Sequence, residues 1–253
     1  MNELRQQTAG LSPAQIAERK RSRLRRLLTA VLVLVFVPSI IAIGALEWQD
    51  RRFYIVSALI ILCSVLPFFI VFEKRRPMAR EVTLIAVMVA LGVAGRAAFY
   101  MLPQFKPIAA TVIIAGCSFG CEAGFVTGAL TAFVSNMFFG QGPWTPWQMF
   151  ALGLIGFFAG LFFRGEIKTK LRLVLLLVYG ALSVVVIYGG IMDTSYVFTA
   201  GQKVELAAFL AAYASGFVFN LIFAGATVLF LLLLAKPLLN KLSRIKKKHG
   251  VFR

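Results

Sequence analysis

Apolar residues form long runs along this chain, separated by short polar or basic stretches. A helix that crosses a bilayer needs about 20 such residues, so each run predicts a membrane-spanning helix. The predicted spans are residues 27–46, 53–72, 81–102, 107–119, 123–138, 146–163, 171–190 and 207–235. The pattern predicts an all-α protein, a polytopic bundle of membrane helices.

The fourth and fifth runs are short for a span, and Gly116, Gly120, Gly124 and Gly128 interrupt them. The pattern fits either two short helices or one long, broken helix. Two helices make eight spans and bring both termini to one side of the membrane, whereas one helix makes seven and separates the termini.

The distribution of lysine and arginine favours eight spans. Seven of these residues lie in the tail 1–26, four in 73–80, four in 164–172 and seven from Lys236 onward. With eight spans all four groups share one face, and the opposite face keeps only Arg51, Arg52, Lys106 and Lys203. Because basic loops stay in the cytoplasm, both termini are predicted there, in a bacterial plasma membrane.

Composition supports the membrane assignment. Hydrophobic residues make up 60% of the 253 residues, the mean hydropathy is +0.84 and only 15% of residues are charged, which excludes an ordinary soluble domain. The net charge of +17 sits in tails and short loops. No basic face interleaved with exposed aromatic residues is predicted, so a nucleic-acid partner is not expected.

Four regions are predicted along the chain. Residues 1–26 form a cytosolic basic tail, and 27–80 form an accessory transmembrane hairpin followed by a basic loop. Residues 81–235 form a six-helix core with more glycine and isolated polar groups, and 236–253 form a second cytosolic basic tail.

Alanine recurs at every fourth position of the third span, at Ala86, Ala90 and Ala94. This spacing strips one helix face of bulk, so another helix can approach closely. The approaching helix belongs either to this chain or to a partner protein.

Arg96 lies about six residues from the outer end of the same span. A charge at that depth costs about 2.5 to 3.5 kcal/mol on insertion scales, so it should face a cavity, pair with an acid or extend to the interface. A functional role, an ion pair with Asp193 and simple extension outward all remain open.

The segment Gly140–Gln148 reads Gly-Gln-Gly-Pro-Trp-Thr-Pro-Trp-Gln and contains no charge. Its prolines predict a loop, and its indole and amide groups suit the mouth of a small-molecule site on the outer face. Aromatic residues there also fit a plain interfacial belt. The candidate ligand-binding residues are Arg96, Tyr100, Asn136, Gln141, Trp144, Trp147, Asp193 and Tyr196.

Catalytic motifs are absent from the sequence. His249 is the single histidine, and Cys63, Cys117 and Cys121 have no neighbouring ligands, so neither a metal site nor a Ser-His pair is expected. No phosphate-binding glycine loop and no acidic pair within a span occur. An enzyme and a permanently bound cofactor are therefore not expected, and a binding protein is.

Residues 81–234 resemble the substrate-binding S components of energy-coupling factor (ECF) vitamin transporters. The resemblance rests on the alanine pattern, on Phe105-Lys106-Pro107, on the glycine-rich helices, and on the stretches Gly124–Asn136 and Gly140–Met149. It implies a protein that captures a vitamin outside the cell and joins a coupling transmembrane subunit and two cytosolic ATPases, which hydrolyse ATP. The alanine face would then contact the coupling subunit.

The extra N-terminal hairpin and the Trp-Pro loop look most like S components for cobalamin or related corrinoids. A queuosine precursor and α-ribazole remain alternative ligands. Two other classes also remain open: a membrane assembly protein whose alanine face recruits a partner, and a stand-alone secondary transporter.

Overall fold

The computed structural model describes residues 77–165, 167, 169–199 and 205–252, together with residues 65, 69, 72 and 73. The predicted tail 1–26 and span 27–46 lie outside these residues, as do most of the span 53–72 and residues 74–76 of the basic loop. All regular secondary structure in the described part of the chain is helical, and no strand occurs there. The prediction of an all-α protein is confirmed for this part.

Six helices follow one another in the described residues. They are α1 Ala79–Ala98, α2 Ile108–Phe119, α3 Cys121–Phe139, α4 Thr145–Phe162, α5 Lys170–Thr199 and α6 Leu206–His249. Each begins and ends within a few residues of a predicted apolar run, except that α5 and α6 continue well beyond theirs. Helices α1, α4, α5 and α6 are long and apolar enough to cross a membrane.

Gly120 separates α2 from α3 and decides between the two readings of this segment. Its φ of +97° is a conformation that favours glycine, and it reverses the chain so that the two helices pack against each other. The segment is therefore two helices rather than one broken helix.

Helices α2, α3 and α4 form the centre of the bundle, and every residue of α2 is buried. Glycine allows this packing: a Cβ at Gly156 would overlap the backbone carbonyl of Gly124, and a Cβ at Gly128 would overlap that of Leu152. Backbones approach this closely only where side chains are absent, which is how apolar helices gain packing in lipid.

Helix α5 contains a π-helical stretch, Ser183–Gly189, between two α-helical parts. Helix α6 runs for 44 residues and includes Pro237, so the basic tail predicted from residue 236 begins as a continuation of this helix. After Gly250 the chain turns back, and Phe252 stacks on Phe119 with ring centroids 4.4 Å apart.

The alternation of helices gives the bundle two ends. The loop end holds the connections α1–α2 and α3–α4, including residues 140–144, together with the C-terminal end of α5 and the N-terminal end of α6. The basic end holds the α2–α3 turn, the α4–α5 connection and the C-terminal end of α6. The backbone N–H of Gly165 donates to the Cys117 carbonyl oxygen at 2.9 Å and joins two of these connections.

Candidate functional site

Arg96 lies near the loop end of α1, where it contacts the last turns of α3. One guanidinium nitrogen donates to Ser135 Oγ at 2.5 Å and to Asn136 Oδ1 at 2.8 Å. The guanidinium also lies 4.9 Å from the centroid of the Phe139 ring, a distance at which a cation is attracted to the ring face. Arg96, whose charge should not lie unaccompanied at this depth, therefore has three partners, and all of them belong to α3.

Asn136 is buried and continues the network toward α4. Its amide nitrogen donates to Gln148 Oε1 at 2.7 Å and to Thr145 Oγ1 at 3.1 Å. Gln148 in turn donates through Nε2 to the Tyr188 hydroxyl at 2.9 Å. A hydrogen-bonded chain of Arg96, Asn136, Gln148 and Tyr188 therefore crosses the bundle from α1 to α5; we call it the amide network.

Local structure explains how these side chains meet. Pro146 lies in the first turn of α4. Backbone N–H groups in a first turn have no partner within the helix, so the N–H that proline lacks is not needed there. The helix therefore starts at Thr145, and Gln148 belongs to its first turn instead of to the predicted loop. Tyr188 lies in the π-helical stretch of α5, a feature often found at functional sites.

Aromatic rings surround the amide network at the loop end. Tyr100 stacks on Phe139 with centroids 5.1 Å apart, which connects it to Arg96 through that ring. Tyr188 meets Phe223 edge to face at 5.0 Å, and Lys106 Nζ lies 5.3 Å from the centroid of the same Phe223 ring. Two cations thus lie against aromatic faces on either side of the network.

Lys106 lies in the connection between α1 and α2, outside the helices. Burial, and to a smaller extent the positive charge of Arg96, lower its pKa to about 8. Lys106 is therefore a cation that sheds its proton more readily than an exposed lysine.

Asp193 has a different partner from the one that sequence reasoning considered. Its Oδ2 accepts a hydrogen bond from Asn220 Nδ2 on α6 at 2.9 Å, while Arg96 binds Ser135 and Asn136. The hypothesis of an Arg96–Asp193 ion pair is therefore wrong. Asp193 packs against Gly216, where a Cβ would overlap its carboxylate.

The tryptophans of the predicted loop occupy different environments. Trp144 is 43% exposed and its ring covers Gly142, as a residue at a mouth would. Trp147 lies inside α4, is 1% exposed and stacks near Phe198, with centroids 5.8 Å apart. Its indole Nε1 is buried and has no hydrogen-bond partner among the described residues. The loop is therefore shorter than predicted, and Trp147 is a core residue with an unused donor.

Gln141 and Tyr196 are exposed at the loop end. Gln141 Nε2 donates to the Phe133 carbonyl oxygen at 3.2 Å, and Tyr196 is 57% exposed. The structure brings Arg96, Tyr100 and Asn136 together, while Gln141, Trp144, Tyr196 and Asp193 lie around them without a described contact to the network. Their part in ligand binding stays a prediction.

The three alanines of the α1 stripe, Ala86, Ala90 and Ala94, are all exposed. The opposite face of α1 is the buried one, with Ile85, Met88 and Val89 in the core. Packing of the stripe inside the described bundle is therefore excluded, and its use as a docking face stays a prediction.

Four residues of this site were absent from the predicted ligand-binding set: Ser135, Gln148, Tyr188 and Lys106. Gln148 and Tyr188 are polar groups at the ends of apolar runs, a signal that the sequence does contain. Ser135 and Lys106 carry no comparable signal, because a serine beside an asparagine and a lysine in a connection are common at any membrane surface.

Comparison with known protein families adds the decisive observation. Residues 77–239 match the family model described as ECF-type riboflavin transporter, S component. The chain belongs to this family. The match covers the whole of the predicted core 81–235, so the sequence resemblance to ECF S components is confirmed, whereas the cobalamin assignment is not. No curated protein matches the chain significantly. An S component is a membrane transporter subunit and not an enzyme, and the amide network lies within the matched residues.

Proposed function

We propose that this S component binds riboflavin, or a closely related flavin, at the loop end and delivers it to the cytoplasm. The observation that carries the proposal is the coincidence of the family match with a buried amide network at one end of the same residues. The cobalamin substrate expected from the loop sequence is the competing hypothesis.

The chemistry of the amide network supports a flavin. The edge of an isoalloxazine ring presents an imide, with an N–H donor between two carbonyl acceptors. In the described contacts both N–H groups of Asn136 are used within the network, whereas Gln148 Nε2 keeps a second N–H donor and the two amide oxygens each keep a second acceptor lone pair, which match this pattern. Trp147 adds a buried N–H donor that no described residue accepts from, a group that a bound carbonyl oxygen would satisfy.

The aromatic surroundings support a flat ligand. The rings of Phe139 and Phe223 lie beside the network and Tyr188 belongs to it, and such rings stack on planar heterocycles. The hydrogen-bonded part of the network spans a few neighbouring side chains, which fits the edge of one fused ring system. A corrinoid instead displays many amides around a much larger ring.

Transport requires partners that supply energy. We propose that the exposed face of Ala86, Ala90 and Ala94 contacts a coupling transmembrane subunit, and that two cytosolic ATPases drive release. This chain contains no phosphate-binding glycine loop, so nucleotide hydrolysis is assigned to those partners.

Calorimetry on the purified full chain in detergent tests the substrate. Riboflavin is expected to bind tightly, and cobalamin is not. Gln148→Ala should weaken riboflavin binding at least tenfold, because Gln148 joins Asn136 to Tyr188. Gln141→Ala is the matched control: Gln141 is an exposed amide outside the network, and its removal should change affinity less than twofold.

Two results would contradict the proposal. Tight binding of cobalamin without binding of riboflavin would leave the family assignment intact and would replace riboflavin by cobalamin as the substrate. Equal loss of affinity in Gln148→Ala and Gln141→Ala would remove the amide network from the binding site.

A further inference from the structure

A cavity of about 650 Å³ lies at the basic end of the bundle, opposite the amide network. It is lined by the end of α2, the α4–α5 connection, the first turn of α5, the last turns of α6 and the returning C-terminal residues. Ligand sites in proteins commonly enclose about 300 to 1,000 Å³, so the volume admits a small molecule or a head group.

The described residues that line this cavity carry positive charge and no carboxylate. Arg172 contributes from α5, and Lys246 and Lys247 contribute from α6. Arg172 Nη2 donates to the Arg164 carbonyl oxygen at 2.6 Å, and Lys246 Nζ donates to the Ser118 carbonyl oxygen at 2.9 Å. These two bonds position Arg172 and Lys246 at the wall of the cavity.

Ser118 supplies a second and independent sign of a ligand. It lines the cavity at the end of α2 and is only 7% exposed, yet its hydroxyl has no hydrogen-bond partner in the described part of the chain. A buried hydroxyl without a partner is uncommon, because leaving it unpaired destabilises the folded state. A ligand oxygen in the cavity would accept its hydrogen.

Tertiary contacts hold the wall of the cavity in place. Phe252 is 1% exposed and stacks on Phe119, and its backbone N–H donates to the Glu81 carboxylate at the start of α1. Gly250 takes the left-handed conformation, with φ of +64°, that turns the chain back after α6. The wall is therefore part of the folded bundle and not a loose tail.

We propose that this cavity binds a phosphate group that carries a small organic substituent. Three cations and a serine hydroxyl, with no acid among the described lining residues, are the chemistry that recognises such a group. Two sources present it at the cytoplasmic surface of a membrane: the head group of an anionic phospholipid, and a soluble phosphate ester.

Thermal unfolding of the purified full chain in neutral detergent tests the proposal. The probes are phosphatidylglycerol, phosphatidylcholine, which has no net charge, and glycerol 3-phosphate against chloride at equal ionic strength. Ligand that binds the folded state raises the midpoint temperature, so titration gives an apparent affinity. Stabilisation by phosphatidylglycerol alone identifies a lipid head group, and stabilisation by glycerol 3-phosphate identifies a soluble ester.

Variants separate a built site from general attraction to a basic surface. Ser118→Ala leaves the net charge unchanged. It should lower the apparent affinity for the stabilising probe about tenfold, as expected for the loss of one hydrogen bond to a charged group. Lys246→Gln should weaken it at least as much. Lys241→Gln is the matched control, because Lys241 is exposed on the same helix and does not line the cavity.

The result that overturns the proposal takes one of two forms. Either no phosphate probe stabilises the wild-type chain above its control, or Lys241→Gln weakens the effect as much as Lys246→Gln while Ser118→Ala leaves it unchanged. Riboflavin binding at the loop end is measured separately, so its outcome does not bear on this site.

Discussion

Asn136→Ala is the sharpest test of the amide network. Asn136 accepts from Arg96 and donates to Gln148 and Thr145, so its removal opens three hydrogen bonds at once. Arg96 retains its hydrogen bond to Ser135, and Thr145 retains the one that it accepts from the Gly142 N–H. Gln148 Oε1, by contrast, is left buried without its donor. An unsatisfied buried group costs about 1 to 3 kcal/mol, so we expect the free energy of unfolding to fall by about 2 to 3 kcal/mol.

The measurement is reversible unfolding in mixed micelles, followed by circular dichroism, with riboflavin affinity measured on the same preparations. Ser135→Ala is the control, because it removes one bond and leaves Arg96 with Asn136, so a loss of about 1 kcal/mol is expected. A double-mutant cycle with Gln148→Ala should give a coupling energy of at least about 0.5 kcal/mol. Equal losses in Asn136→Ala and Ser135→Ala, with no coupling to Gln148, would refute the network.

Three further predictions test packing, docking and protonation. Gly156→Ala should lower the unfolding temperature because its Cβ overlaps the Gly124 carbonyl, whereas Gly190→Ala, with open space around its Cβ, should leave that temperature unchanged or higher; equal effects would contradict the packing. Ala90→Leu should abolish copurification with the coupling subunit and keep riboflavin affinity, and loss of affinity instead would argue against a docking face. Lys106 has a pKa lowered to about 8, so between this pH and its ordinary pKa the unfolded chain binds the proton that the folded chain has lost. The stability of the wild type relative to Lys106→Gln should therefore rise from pH 7 to pH 10. A difference in unfolding temperature that does not change with pH would contradict the burial of this charge.

The helices of the core were predictable because length and hydropathy are local properties. The run 146–163 corresponds to α4 Thr145–Phe162, and the two short runs correspond to α2 and α3. Arg96 and Asn136 were also predictable as site residues, since a charge and an amide within apolar helices need partners wherever the helices pack.

The partners themselves were not predictable. Arg96 and Asn136 are 40 positions apart, and Gln148 and Tyr188 also 40, so their contacts depend on how α1, α3, α4 and α5 cross. The ion pair with Asp193 was equally consistent with composition, and only the packing of α5 against α6 assigned Asp193 to Asn220. The return of Phe252 onto Phe119 has no sequence signal, because the last residues read as a basic tail.

The sequence by itself determined a helical membrane protein and its family, because hydropathy and residue spacing act within a few neighbouring residues. The turn at Gly120 was left open by the sequence and was decided by the structure. Tertiary structure alone decided which face of α1 stays open, which polar groups form the amide network, and that the basic end holds a cavity lined by Ser118. Both sites arise where helices distant in sequence bring buried polar atoms within hydrogen-bonding distance. In an apolar bundle those few directional contacts depend on helix packing, which no local pattern specifies.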